Sequence, residues 1–213
     1  MPHLLKLPLF PLGLVLYPGE QVPLHIFEPR YKEMIAWCMQ AEHPFGIIFF
    51  DDGKMAGVGC TARVRQVIKH YDDGRMDLLV SGERRFEVLE TYRDEAYLTA
   101  DVNLLDEPSS PPNSDQQQRV ITQHMRLLEL AGQTVRPSLY QNTRQLSFVI
   151  APKAGLSQKQ KQEVLEMASE DERLSFLIGH LEALIPRVEQ VEGVRQRIQS
   201  NGHFKDFPPE GET

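Results

Sequence analysis

Between Leu7 and Tyr31 the chain reads LPLFPLGLVLYPGEQVPLHIFEPRY, with five prolines spread through a run dense in Leu, Val, Ile and Phe. The apolar load demands burial. Each proline, however, removes a backbone donor and is confined to sheet edges, bulges or strand starts. One long helix and one long central strand are both excluded. The segment is predicted to fold as short extended pieces joined by tight corners, with Pro18-Gly19 marking a turn. Pro29 suits the first position of a helix, so the run ends by opening one.

Downstream, Tyr31, Met34, Ile35 and Cys38 recur at helical spacing and predict an amphipathic helix over about 29–41. The rest of residues 5–105 reads as strands. Leu5 to Leu9, Val22 to Phe27 and Phe45 to Phe50 are short extended runs. Thr61 to Tyr71 alternates, with Ala62, Val64, Val67 and Ile68 expected inward and Arg63 and Arg65 outward. Asp72-Asp73-Gly74-Arg75 is a hairpin loop with glycine available for positive φ. Met76 to Val80, Arg85 to Tyr92 and Tyr97 to Leu105 follow. Short strands of this mixed spacing predict a small, closed or nearly closed β-barrel.

Residues 106–118, DEPSSPPNSDQQQ, hold almost nothing apolar and mark the domain boundary. Beyond them the period becomes helical. Val120, Met125, Leu127, Leu128 and Leu130 run to Gly132, a C-terminal stop. A short helix is expected from Asn142 to Ala151, before Pro152. Ser157-x-x-Gln160 and Ser169-x-x-Glu172 read as capping boxes. The second opens a long helix through Leu174, Leu177, Ile178, Leu181, Leu184 and Val188, with Pro186 expected to kink it. The expected division is a β-rich unit over 1–108, a helical unit over 115–200 and a polar tail over 201–213.

The formal net charge is −7 over 213 residues. It is shared by both halves, so neither offers a net positive field for nucleic acid. A local basic patch remains conceivable from Arg63, Arg65, Arg84 and Arg85. Cys38 and Cys60 are too few for a disulfide framework or a four-cysteine zinc site, and both read as small core residues. No signal peptide and no membrane-spanning apolar run is visible, which predicts a reducing, cytoplasmic setting.

Catalytic patterns are missing. No two of the seven histidines pair at i, i+4, and neither H-E-x-x-H, G-x-S-x-G nor S-x-x-K occurs. The one Gly-Lys pair, Gly53-Lys54, is followed by Met55 and has Ile48 where a phosphate-binding loop needs its first glycine. No catalytic residue, metal ligand or cofactor site is therefore assigned.

Several ordered blocks together resemble the N-terminal, substrate-binding domain of Lon protease. They are the proline-rich opening, Phe45-Gly46-Ile47-Ile48, Val58 to Val64, the Asp73-Gly74-Arg75 tip and Leu78 to Val88 with its G-x-x-R-F pattern. Lys161 to Glu166 and Glu172-Arg173-Leu174 fit the family's helical half. The resemblance covers roughly residues 5–200. It implies an α+β fold: an N-terminal PUA-like pseudo-barrel with one inserted helix, then a C-terminal helical bundle ending in a long helix. A full Lon protease continues into ATPase and Ser-Lys protease modules. This chain is expected to be a free-standing, non-catalytic version that binds unfolded or specific protein segments, acting alongside a separate Lon-type protease in protein quality control. A dedicated adaptor for one partner is the alternative, and an RNA-binding PUA-like role a more distant one.

The candidate peptide-binding residues are Phe49, Phe50, Tyr17, Glu28 and Arg30. Phe49-Phe50 ends a strand before Asp51-Asp52-Gly53, where apolar rings reach the surface. Glu28 and Arg30 would stand at a cleft rim. Alternatively, Glu28 favours a helix N-terminus and Arg30 pairs with a neighbouring carboxylate. Arg84 and Arg85 face opposite sides of a strand, and an ion pair of Glu28 with Arg85 is expected to lock the barrel.

Overall fold

The computed structural model describes residues 4–93, 95–107, 113–141, 143 and 145–201. Its strands are β1 (Leu4–Leu12), β2 (Gln21–Ile26), β3 (Phe45–Asp51), β4 (Lys54–His70), β5 (Met76–Tyr92) and β6 (Leu98–Leu104). Helix α1 (Pro29–Gln40) lies between β2 and β3. The second half holds α2 (Ser114–Leu130), α3 (Leu146–Ile150), α4 (Gln158–Glu166) and α5 (Glu170–Asn201).

The strand order is β2-β5-β4-β3-β1-β6, with a further pairing of β5 to β6. That pairing closes a ring of β1, β3, β4, β5 and β6. It is possible because β5 changes partner along its length. Gln21 to Ile26 of β2 pair with its first part, and Leu104 back to Thr99 of β6 pair with Phe86 to Tyr92. The sequence suggested two separate strands here. The structure makes them one 17-residue strand, and register shifts between β4 and β5 let the long pair bend around the barrel.

Inside the ring, Leu7, Leu9, Ile48, Phe86, Ala100 and Val102 form one core. Phe86 fits because Gly59 opposes it across the ladder. A Cβ at Gly59 would lie 2.5 Å from the Phe86 ring. A second core sits under α1, where Tyr31, Met34, Ile35 and Cys38 pack on Ile26, Phe45, Ile47 and Leu78. Both cysteines are free and buried. Val67 and Ile68, expected inward, are 36% and 55% exposed. The reason is that β3 begins opposite Ala62, so the part of β4 beyond it pairs only with β5.

The third core belongs to the helices, yet Val15 and Tyr17 of the proline-rich segment lie in it beside Phe148, Leu165, Leu174 and Leu177. Helix α2 runs alongside α5, tied by Arg119–Glu182 and by Arg126–Glu189 at 2.9 Å. Ser157 and Gln160 form the expected capping box at α4. Ser169 and Glu172 exchange the same two bonds, each 3.2 Å, at the start of α5. The short helix expected from Asn142 spans only Leu146–Ile150 and tightens into a 3₁₀ turn over Ala151–Lys153 that contains Pro152. Helix α5 continues through Pro186. Residues 108–112 of the expected linker and residues 202–213 of the expected tail lie outside the described residues.

Candidate functional site

A cleft of about 690 Å³ opens where the end of β1, the start of α1, the β3–β4 hairpin and the β5–β6 connection converge. Phe50, Met55, Leu12 and Leu98 give it apolar walls, and Glu28, Arg30, Arg93 and Glu95 its polar border. Its shape follows from local sequence rules. Pro29 starts α1 abruptly, so Glu28 stays extended (φ −71°, ψ 135°) at the edge. The Asp51–Lys54 pairing and Gly53 at φ 74° turn the hairpin so that Phe50 faces the cleft.

Glu28 occupies the helix N-cap position, but its carboxylate caps nothing. It accepts from Arg30 instead, at 2.7 Å from Nη2 and 2.9 Å from Nε. The Arg30 guanidinium also lies 4.6 Å from the Tyr31 ring, which packs on Phe10 at 4.2 Å. Burial raises the Tyr31 phenol above its usual pKa. Burial and then the Glu95 charge do the same at Tyr97. An exposed Glu–Arg pair adds at most about 1 kcal/mol to stability, so these two side chains can exchange partners at little cost to the fold.

Three of the sequence-derived candidates, Phe50, Glu28 and Arg30, therefore meet in one cleft. Phe50 is 43% exposed. Phe49, one residue earlier, points to the other face and packs on the helical core. Tyr17 has to be withdrawn as a surface contact. It is 0% exposed, stacks on Phe148 at 5.4 Å and donates its hydroxyl to the Lys161 carbonyl at 2.8 Å.

The expected Glu28–Arg85 pair is also corrected. Arg85 points away from the cleft, into the junction with the helices. There it donates to Glu107 at 2.6 Å and to the carbonyls of Leu165 and Met167, each at 2.9 Å. Arg173, fully buried, reaches the other Glu107 oxygen at 2.7 Å, together with Glu170, Ser147 and the Met167 carbonyl. No local signal in the sequence marks Glu107. It is one acid at the edge of a polar, proline-rich stretch.

These contacts explain the G-x-x-R-F pattern. A Cβ on Gly82 would collide with the Tyr17 carbonyl, so glycine admits the proline-rich loop. Gly19 N–H donates to the Gly82 carbonyl and Gly82 N–H to that of Glu20, both at 2.9 Å. Arg85 anchors the helices and Phe86 fills the barrel. The basic patch conceived for nucleic acid is partly offset on site: Arg63 and Arg65 share Glu83, and Arg84 meets Asp106 at 2.8 Å. Among the described residues no cluster of His, Cys, Asp and Glu could hold a metal ion, and no helix is long and apolar enough to cross a membrane.

The family model for the ATP-dependent protease La (LON) substrate-binding domain matches residues 6–183. The chain belongs to this family. It is 27% identical over 220 residues to the Lon protease of Brevibacillus choshinensis, which covers 95% of this chain and 28% of that protein. The chain thus spans little more than a quarter of the curated Lon relatives it matches. Among solved structures it resembles a Lon N-terminal domain protein from Xanthomonas campestris, with a TM-score of 0.68 and 26% identity, covering 82% of this chain and 98% of that one. The N-terminal domain of the Mycobacterium avium complex Lon protease shares the fold, with a TM-score of 0.61 at 19% identity, covering 83% and 98%. The Lon substrate-binding family was legible in the ordered sequence blocks, and the α+β architecture expected from it is the one observed.

Proposed function

We propose that this chain is a non-catalytic protein-binding module that takes up exposed apolar segments of unfolded or target proteins in the cytoplasm and serves protein quality control. The observation that carries the reading is the exposed Phe50 in an amphipathic cleft bordered by Glu28 and Arg30, in a chain whose family is named for substrate binding. Phe50, Met55 and Leu98 would cover apolar side chains of the bound segment. Glu28 and Arg30 would exchange their mutual bond for the segment's backbone or charged groups.

Burial of apolar surface contributes about 25 cal/mol per Å². Lost freedom on association and ordering of the segment offset much of it. The expected affinity is therefore about micromolar, with weak salt dependence. A Lon-type protease acting in trans would receive what this module holds.

The test is a titration of a fluorescently labelled, permanently unfolded polypeptide, read by anisotropy. Saturable binding that survives high salt and is weakened by Phe50→Ala supports the reading. Absence of binding at hundreds of micromolar would replace it with that of an adaptor dedicated to one folded partner.

A further inference from the structure

A second groove, of about 900 Å³, lies on the seam between barrel and helices and shares no lining residue with the cleft. One wall is the Pro18–Gln21 loop, held by the two hydrogen bonds to Gly82. The other wall is the end of α2 and the segment after it. The floor is Phe148, which is 2% exposed and fixed between Tyr17 and the Arg173 guanidinium, 4.4 Å from its ring. The size falls within the range of built ligand sites.

The charges here are lopsided in a useful way. Glu83 on the loop side is already answered by Arg63 at 3.0 Å and Arg65 at 3.6 Å. Glu20 is turned inward, accepting from the Tyr17 N–H at 3.1 Å. The two cations of the groove, Arg136 and Lys153, are exposed and have no carboxylate partner among the described residues. Beside them Leu139 is 48% exposed. Gln133, Thr134 and Gln145 add side-chain amide and hydroxyl groups able to bond an extended backbone.

We propose that this groove binds an extended peptide segment in which acidic and apolar side chains alternate. The acids meet Arg136 and Lys153, and the apolar residues cover Leu139, Tyr140 and Val149, which line the groove and are not buried. Alternation matters because side chains of an extended chain point to opposite sides in turn. The apolar ones face the floor while the acidic ones reach the rim. This site is independent of the cleft, so the molecule can hold two segments at once.

The test uses the full chain and two labelled peptides of roughly eight residues, each spanning ~28 Å when extended. One alternates glutamate with phenylalanine and the other lysine with phenylalanine. The first is expected to bind and the second to bind at least about tenfold more weakly. The double variant Arg136→Glu with Lys153→Glu should invert that preference, and circular dichroism should show it folded, since neither side chain has a carboxylate partner among the described residues. Leu139→Glu, an independent surface change, should weaken the glutamate peptide on its own. The titrations are repeated in Phe50→Ala, which removes the aromatic anchor of the cleft, and the preference for the glutamate peptide should persist there. Equal binding of both peptides, no binding at hundreds of micromolar, or glutamate-peptide binding that survives the double reversal would overturn the proposal. So would its loss in Phe50→Ala, which would move the contact to the cleft.

Discussion

Arg85 of β5 and Arg173 of α5 are held by opposite oxygens of one carboxylate, Glu107, at 2.6 and 2.7 Å. Two guanidiniums buried this deeply, at 3% and 0% exposure, would repel each other without it. Glu170 supplies the second negative charge, bonding Arg173 at 3.0 Å and the Ser147 N–H and hydroxyl. The cluster carries two charges of each sign and joins the barrel to the helices.

Replacing Glu107 by glutamine should therefore cost about 3 kcal/mol, the usual consequence of leaving a buried charge partly unpaired. The loss should affect both halves together. Trp37 fluorescence reports the α1 side of the barrel, and far-ultraviolet circular dichroism is dominated by the helices. Under urea the two signals should move to lower midpoints in step. Separate transitions would mean that the halves at 1–108 and 115–200 fold independently.

Gly82→Ala and Gly59→Ala should each destabilise by about 1–3 kcal/mol through overpacking. At Gly82 the added methyl would strike the Tyr17 carbonyl, which is backbone and cannot swing away. At Gly59 it meets the Phe86 ring and the Ile47 carbonyl. Thermal melting checks both. Adding Phe86→Leu should recover part of the loss at Gly59 and none at Gly82.

Adjacent phenylalanines should separate stability from binding. Phe49→Ala removes packing from the helical core and should cost about 2 kcal/mol, less than the 3–5 of a fully buried ring. Phe50→Ala should change the melting temperature little and weaken peptide binding by about tenfold, as loss of a central aromatic anchor does. Calorimetry on one sample and anisotropy on the other decide it.

What the sequence made readable follows from locality. Helix α1, both capping boxes and the Asp72–Arg75 hairpin loop depend on neighbours a few positions apart, and each stands where the spacing put it. The continuity of β5 and the exposure of Ile68 depend on where partner strands end, which no local pattern records. The site divides the same way. Phe50, Glu28 and Arg30 lie at turns and helix starts, and they share a cleft. Tyr17 and Arg85 escape a local reading because their partners, Lys161, Leu165 and Glu107, are distant in the chain or sit in an uninformative stretch.

His124 gives the fold a pH limit. It is 2% exposed and bonds Tyr140 at 2.9 Å through Nδ1. Burial, and to a lesser degree the nearby Lys153 charge, lower its pKa from 6.5 to about 4. The folded state thus takes up this proton less readily than the unfolded chain. The stabilising contribution is complete above about pH 6.5, falls as the pH drops, and is gone below about 4. Urea midpoints measured from pH 7 to 4 should decline, and His124→Gln should flatten that decline.

Recognition of apolar segments is proposed to rest on the exposed Phe50 ring in the cleft. Its most direct measurement is the anisotropy titration of a labelled unfolded polypeptide against the native chain and Phe50→Ala, at low and at high salt. The native chain should bind at about micromolar affinity, nearly equally at both salts, and the variant about tenfold more weakly. Binding that collapses with salt, or that is the same in Phe50→Ala, would contradict it.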